Sequence, residues 1–284
     1  MPTAHVRGVD LYYEAYGSPS NPRLIMAHGL MGSVALMKQF SERPEAIAAR
    51  GLHVIAYDAR GHGRSSYSNR KSDYHWSSLA ADMRGLMQVL DIDRASVYGG
   101  SMGAGTALTL ALAHPESVDK LLLMSPPPFG AQLRTARRYF GAIAYLYQLF
   151  GSSLTARIIM ATPQAKAAQR QSPANDLRAF FASQRRSAVV PAIRGLVFDS
   201  PALPTERFAE IAQPTLILTH PDDPIHPLVS GELLHERMPH ARLAVAPTAG
   251  YWQEQPDALT HIIASFVKDE TIAQGLPEKT LHAH

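Results

Sequence analysis

Cysteine is absent from the chain, which excludes disulfides, thiolate zinc sites and cysteine nucleophiles. No apolar run in the sequence reaches the roughly 18 residues that a membrane-spanning helix needs. The first residues, 1–17, are polar and aromatic and lack the apolar segment of a secretion signal. We therefore expect a cytoplasmic protein without a membrane span.

Motifs for nucleotides and metals are also missing. The sequence contains no G-x-x-x-x-G-K-[ST] phosphate loop and no isolated dinucleotide fingerprint, which disfavours nucleotide-dependent enzymes. No pair of histidines has convincing metal-ligand spacing. We expect no metal and no cofactor, a small-molecule substrate, and no nucleic acid as partner.

The net charge of +3 is unevenly distributed along the chain. Residues 129–199 contain ten Lys or Arg against two acidic residues, so this segment carries +8 and the remainder −5. A solvated helical face is the simpler interpretation of this excess. The alternative is an insertion that attracts an anionic substrate to a cleft.

Short apolar segments alternate with amphipathic ones along most of the 284 residues, a length sufficient for one large domain with an insertion. A β-hairpin is predicted over 3–16, and further strands at 23–27, 53–57, 95–98, 120–124, 214–219 and 241–246. Helices are predicted at 35–50, 77–90, 102–114, 228–238 and 257–268. This alternation indicates a parallel sheet with helices on both faces.

The alternation is interrupted at Ser125, where three prolines follow. From there to about residue 199 the sequence is helical in pattern, rich in Ala and Arg, and without a convincing strand. We expect a helical cap over residues 126–204, inserted into a core domain formed by 1–125 and 205–268. Residues 269–284 are polar and are expected to form a loosely held tail.

One stretch combines a strand, a glycine-flanked serine and the start of a helix. Residues 99–103, with the sequence GGSMG, fit the nucleophile-elbow pattern G-x-S-x-G. A serine on such a sharp turn has a strained backbone, and its glycine neighbours allow other chain segments to pass close by. A turn without chemistry is the plain alternative for this pentapeptide by itself.

Four segments, in this order, resemble motifs of the α/β-hydrolase family. They are His28-Gly29 after the predicted strand 23–27, the loop 58–65 (DARGHGRS), the Ser101 elbow, and the loop 222–227 (DDPIHP). The resemblance covers nearly all of the chain. It implies an α/β-hydrolase fold, which is a mostly parallel eight-stranded sheet with helices on both faces and an inserted helical cap.

The resemblance also implies roles for individual residues. Ser101 would be the nucleophile, and the backbone N–H groups of Leu30 and Met102 would form the oxyanion hole. The acid would be Asp223, which stands four residues before Pro227, in preference to Asp222. The plain alternative for this Asp pair is a solvated turn before a helix. Residues expected to line the pocket are His28, Met31 and Trp252.

The position of the catalytic histidine departs from the family pattern. The family has Gly-His after the last strand, whereas this chain has Gly250-Tyr251 followed by Trp252. A free phenol has a pKa near 10, so tyrosine is a poor general base at neutral pH. Three explanations remain open: a hydrolase impaired at Tyr251, a substitute base at His226, or a fold used for ligand binding or for a reaction in which Tyr251 donates a proton.

The leading hypothesis is a serine hydrolase that acts on a carboxylic ester or lactone through an acyl-enzyme on Ser101, with activity reduced or abolished by Tyr251. The alternatives are a ligand-binding or non-hydrolytic member of the fold, and a carbon–carbon bond hydrolase of aromatic degradation that carries a His-to-Tyr change. Aromatic side chains of the predicted cap suit an apolar acyl or aryl group, although core packing explains many of them. The arginines of the cap would suit an anionic end on that substrate. The sequence does not indicate an oligomeric state.

Overall fold

The computed structural model describes residues 2–39, 42–171, 176–221, 223–248, 250–270 and 280–281. Within these residues nine strands form one sheet: β1 (Thr3–Val6), β2 (Val9–Tyr16), β3 (Arg23–Ala27), β4 (His53–Tyr57), β5 (Ala95–Gly100), β6 (Val118–Met124), β7 (Thr215–Thr219), β8 (Ala241–Val245) and β9 (Thr280–Leu281). Their order across the sheet is β1-β2-β4-β3-β5-β6-β7-β8-β9.

The six strands from β4 to β8 in this order run parallel, while β2 pairs antiparallel with β4 and β1 antiparallel with β2. The predicted mostly parallel sheet is therefore confirmed. Strand β9 pairs antiparallel with β8 and was not predicted, because it lies in the polar segment expected to be a tail. The rest of that segment beyond residue 270 lies outside the described residues.

The helices are α1 (Val34–Gln39), α2 (Pro44–Ala48), α3 (Trp76–Val89), α4 (Met102–Ala113), α5 (Leu133–Ala161), α6 (Pro163–Gln171), α7 (Leu177–Ser183), α8 (Arg186–Ile193), α9 (Leu228–Arg237), α10 (Tyr251–Glu254) and α11 (Pro256–Val267). The single helix predicted over 35–50 was wrong, because two helices occupy this range. Pro44 lies in the first turn of α2, where its missing N–H leaves no helical hydrogen bond unmade.

Both faces of the sheet are covered, as the unbroken burial of β7 illustrates. Adjacent strand residues point to opposite faces, so Ile25 packs with side chains of α3, α4 and α9 while Met26 packs with those of α2 and α11. This double coverage explains why the parallel strands are apolar without alternation. It leaves the carboxyl edge of the sheet as the place where loops can meet.

Helices α5–α8 and a π-helical turn, Arg194–Asp199, lie between β6 and β7 along the chain, where the sequence predicts the cap. Gly151 (φ 67°, ψ −174°) divides α5 into two helices. Side chains from α5, α7 and α8 form an apolar cluster of their own, which also contains Met31 from the core. None of the described helices combines the length and hydropathy needed to cross a bilayer.

Candidate active site

Ser101 lies between the end of β5 and the start of α4 with φ 49° and ψ −106°, a conformation that L-residues rarely adopt. A Cβ atom on Gly103 would overlap the backbone of Ala27 in β3, and one on Gly99 would overlap the backbone of Gly103. Both positions therefore require glycine. This close packing of the helix start on the strands presents Ser101 at the carboxyl edge of the sheet.

A chain of hydrogen bonds joins Ser101, His226 and Asp223. The Ser101 Oγ and His226 Nε2 are 2.7 Å apart, and the His226 Nδ1 is 2.8 Å from the Asp223 Oδ2. Because the carboxylate can only accept, Nδ1 carries the proton, and Nε2 is free to accept from the Ser101 hydroxyl. The imidazole that contacts the serine thus comes from the same loop as the acid, between β7 and α9.

The Asp223 carboxylate also organises this loop. Its Oδ1 accepts hydrogen bonds from the backbone N–H groups of Ile225 (2.8 Å) and His226 (2.9 Å). Burial raises the pKa of Asp223, but the hydrogen bonds from the His226 ring and from these backbone N–H groups outweigh burial and hold the pKa well below its usual range. The carboxylate is therefore ionised at neutral pH and can orient the His226 ring.

A second histidine, His220, lies near the same oxygen of Asp223. Its Nε2 is 3.7 Å from the Asp223 Oδ2, and its Nδ1 is 2.9 Å from the carbonyl oxygen of Pro221. No motif in the sequence points to this residue. Asp223 thus has one imidazole in hydrogen-bond contact, from His226, and a second one nearby.

Two backbone N–H groups are available beside Ser101. Gly29 lies against the serine, since a Cβ on Gly29 would be 3.4 Å from the Ser101 Cβ. Leu30 follows Gly29, and Met102 is the first residue of α4, whose N–H has no partner within the helix. No backbone carbonyl among the described residues accepts from either N–H. Both residues line the cavity that contains Ser101, as an oxyanion hole would require.

The turn that begins at Gly29 is supported by the buried His28, whose ring lies beside that of the buried His62, with the ring centroids 5.1 Å apart. His28 Nδ1 donates to the carbonyl of Gly29 (2.7 Å), and its Nε2 accepts from the Ala59 N–H (3.0 Å). Burial lowers the pKa of His28 to about 4, and burial together with the neighbouring His28 ring lowers the pKa of His62 to about 3. His28 therefore supports the loop, and the expectation that it lines the pocket was wrong.

The cavity in front of Ser101 lies between the core and the cap, and the space there not filled by protein atoms is about 740 Å³, part of it open to solvent. It is mainly apolar, with lining residues that include Leu30, Trp76, Met102, Pro127, Phe129, Leu133, Phe140, Leu196, Val197 and Ile225. Among its described lining residues, Arg137 carries the only permanent charge. The Arg137 Nε donates to the Val197 carbonyl (3.1 Å), which fixes the side chain and leaves its terminal nitrogens for a ligand.

Two further pocket expectations were wrong. Trp252 is buried in the apolar core, on the sheet face that α2 and α11 cover. Met31 is buried in the cap cluster and borders a neighbouring cavity, not the one that contains Ser101. In both cases apolar packing, which the sequence motif does not specify, determines where the side chain points.

Tyr251 does not occupy the place of the missing base. It begins α10, and its ring packs edge to face on Trp252 with the ring centroids 5.0 Å apart. It is not among the residues lining the Ser101 cavity, and the hydrogen bonds described for Ser101 and Asp223 do not include it. Asp222, the alternative acid, lies outside the described residues, and no three metal-ligating side chains converge within the part of the chain that is described.

A family model described as alpha/beta hydrolase fold matches residues 22–253 of the chain. The chain is also 28% identical over 252 residues to a 2-hydroxy-6-oxononadienedioate/2-hydroxy-6-oxononatrienedioate hydrolase of Comamonas testosteroni, covering 86% of this chain and 87% of the relative.

Two solved structures share the fold. The enol-lactonase from Burkholderia xenovorans LB400 superimposes with a TM-score of 0.79 at 21% identity, over 94% of this chain and 100% of the lactonase. An esterase from Exiguobacterium antarcticum gives a TM-score of 0.72 at 22% identity, over 93% of this chain and 97% of the esterase.

Proposed function

The chain belongs to the α/β-hydrolase fold family, and from that premise we propose that it is a serine hydrolase that acts on a carboxylic ester or lactone. In this proposal Ser101 forms the acyl-enzyme, and His226, not Tyr251, is the general base. The observation that carries it is the hydrogen-bond sequence from Asp223 through His226 to Ser101, with distances of 2.8 and 2.7 Å.

Acylation follows from this geometry. As the Ser101 Oγ attacks the acyl carbon, its proton passes to His226 Nε2, and the ionised Asp223 stabilises the resulting imidazolium. The N–H groups of Leu30 and Met102 bind the oxygen of the tetrahedral intermediate. His226 then protonates the departing alkoxide, which leaves as an alcohol or, from a lactone, remains attached to the acyl group as a hydroxyl.

Deacylation uses the same groups in reverse. His226 takes a proton from a water molecule, whose oxygen attacks the acyl carbon of the ester on Ser101. The second tetrahedral intermediate collapses, the proton on His226 returns to the Ser101 Oγ, and the carboxylic acid is released. Neither half-reaction needs a group at position 251. We therefore propose that the protein is active although it has Tyr251 where the family has histidine.

The lining of the cavity supports an apolar acyl or aryl group with an anionic end. Its walls are apolar, and the guanidinium of Arg137 is held at one side by the Val197 carbonyl. A carboxylate on the substrate would pair with this exposed guanidinium at the side of the cavity. The same feature favours a second candidate, a carbon–carbon bond hydrolase like the dienedioate hydrolase among the relatives, because the substrate of that relative is a dianion.

The proposal is tested with activated aryl esters, by steady-state turnover and by intact-mass detection of an adduct on Ser101. We expect His226→Gln to lower kcat by about 10³-fold or more, since it removes the base. Tyr251→Phe is the matched control and should stay within about threefold of the parent. A parent that neither acylates nor turns over any ester overturns the proposal and favours ligand binding. Loss of activity in Tyr251→Phe with retention in His226→Gln would remove His226 as the base.

A further inference from the structure

Residues 29–32, which carry the Leu30 N–H, form a tight turn. The Gly32 N–H donates to the Gly29 carbonyl at 2.8 Å, as in a β-turn. Met31, the third residue of the turn, has φ 66°, while Leu30 has no positive φ. This combination defines a type II turn, in which the third position is usually glycine or asparagine. A methionine there is strained, so its surroundings must hold it in place.

The cap supplies that support through apolar packing. Met31 has 3% of its surface exposed, and its side chain packs in the cap cluster with residues such as Ile143, Tyr147 and Phe181. The strained residue is therefore part of the core segment of the chain, but its side chain packs among residues of the cap. Its backbone conformation depends on the contact between the two.

A hydrogen bond from the cap reaches the same residue. The Gln184 Nε2 donates to the Met31 carbonyl at 3.1 Å and lies 3.3 Å from the carbonyl of Phe180 in α7. The backbone of Gln184 is itself fixed, because its carbonyl accepts from the Ser152 hydroxyl of α5. The Gln184 amide thus extends from a held position in the cap to the turn.

We propose that Gln184 is a positioning residue for the oxyanion hole, which the cap completes by holding the turn at Met31. The inference rests on the proposed function. If Met31 loses this hydrogen bond, its strained positive φ is held less firmly, and the turn 29–32 can shift to relieve the strain. The Leu30 N–H then moves relative to Ser101, against which Gly29 is packed.

Docking of the cap has a separate anchor, which allows the two roles to be distinguished. The neighbouring Arg185 donates from Nη2 to the carbonyls of Gly63 (3.1 Å) and Ser65 (3.2 Å), in the loop after β4. These bonds tie the cap to the core without touching the turn. Arg185→Met is therefore the matched control for Gln184→Leu.

The experiment measures kcat and KM for an ester, together with inhibition by a trifluoromethyl ketone whose hemiketal oxygen occupies the oxyanion hole. We expect Gln184→Leu to lower kcat by about 10- to 100-fold, as misplacement of a catalytic group does. The affinity for the ketone should fall by a similar factor. KM should change by less than about threefold, because ground-state binding is not altered. Gln184→Glu, which replaces the donor with an acceptor, should lose at least as much. Arg185→Met should leave the ratio of ketone affinity to KM unchanged.

A third variant tests the strain itself. Met31→Gly adopts a positive φ without cost, so adding Gln184→Leu to it should lower kcat less than the same change does in the parent. Equal losses in the two backgrounds, or equal effects of Gln184→Leu and Arg185→Met on kcat, KM and ketone affinity, would reduce Gln184 to a cap anchor and overturn the inference. A parent that forms no ketone adduct on Ser101 overturns the proposed function, and the inference with it.

Discussion

Asp223 and His226 are three residues apart in one loop, and their side chains meet at 2.8 Å while the same carboxylate binds the backbone N–H of His226. The carboxylate and the imidazole are therefore held together by local geometry and do not come from two distant loops. The position of the loop between β7 and α9, which sets the 2.7 Å contact with the serine, becomes the critical tertiary relationship.

We expect Asp223→Asn to lower kcat by about 10³- to 10⁴-fold, as the equivalent change does in other triads. The amide keeps the size of the side chain and an oxygen for the backbone N–H groups, but it removes the charge that stabilises the imidazolium. The check is the pre-steady-state rate of acylation by an aryl ester. Acylation within tenfold of the parent would contradict a role for the carboxylate.

The pKa of Asp223 bears on the pH dependence of the same rate. Because this pKa is held well below its usual range, the carboxylate remains charged throughout the weakly acidic region. An acidic limb of the kcat profile near pH 4 to 7 would then come from another group. We expect that limb to remain at the same pH in Glu42→Gln, which removes a half-buried acid whose pKa desolvation raises to about 7.

Arg137→Met should discriminate between substrates. For an ester with a carboxylate at the far end of its acyl group, we expect kcat/KM to fall by about 10- to 100-fold, as the loss of a charged hydrogen bond implies. For the neutral methyl analogue we expect less than about threefold change. Arg138→Met is the control, because Arg138 is exposed on the same helix and does not line the cavity. Equal losses for the two substrates would contradict carboxylate recognition by Arg137.

Folding stability should decrease in weak acid because of His28 and His62. Their pKa values in the folded protein are about 4 and 3, below the ordinary value near 6.5, so the unfolded chain binds more protons between these limits. Their stabilising contribution is full above about pH 6.5 and is lost as the pH falls toward 4 and below. For His28 alone the free energy of unfolding falls by an amount on the order of 3 kcal/mol.

Urea unfolding at pH 7 and at pH 4.5 measures this effect. We expect His62→Gln, relative to the parent, to reduce the fall in unfolding free energy between the two pH values. His240→Gln, which replaces an exposed histidine, should leave this fall in unfolding free energy unchanged. An unchanged pH dependence in His62→Gln would show that other groups govern stability in acid.

The order of strands and helices could be predicted because each element carries its own signal. Strands such as β7, which is buried throughout, appear in the sequence as short apolar runs, and α3 has the spacing of a helix with one buried face. The break at Pro44 could not be placed from the apolar pattern, since that pattern continues across both α1 and α2. The short strand β9 could not be found either, because it has only two residues, stands in a polar segment, and pairs with a strand distant in sequence.

By itself the sequence determined the elbow at Ser101, since the pattern G-x-S-x-G between an apolar strand and a helix predicts this turn. It also determined that position 251 holds a phenol and that a carboxylate and an imidazole stand three residues apart in one loop. Only the tertiary structure decided which ring meets the serine, because that depends on where the loops after β7 and β8 come to rest at the edge of the sheet. Tyr251 packs on Trp252, and His226 reaches Ser101. Contacts between segments more than a hundred residues apart set these positions, and no local pattern encodes them.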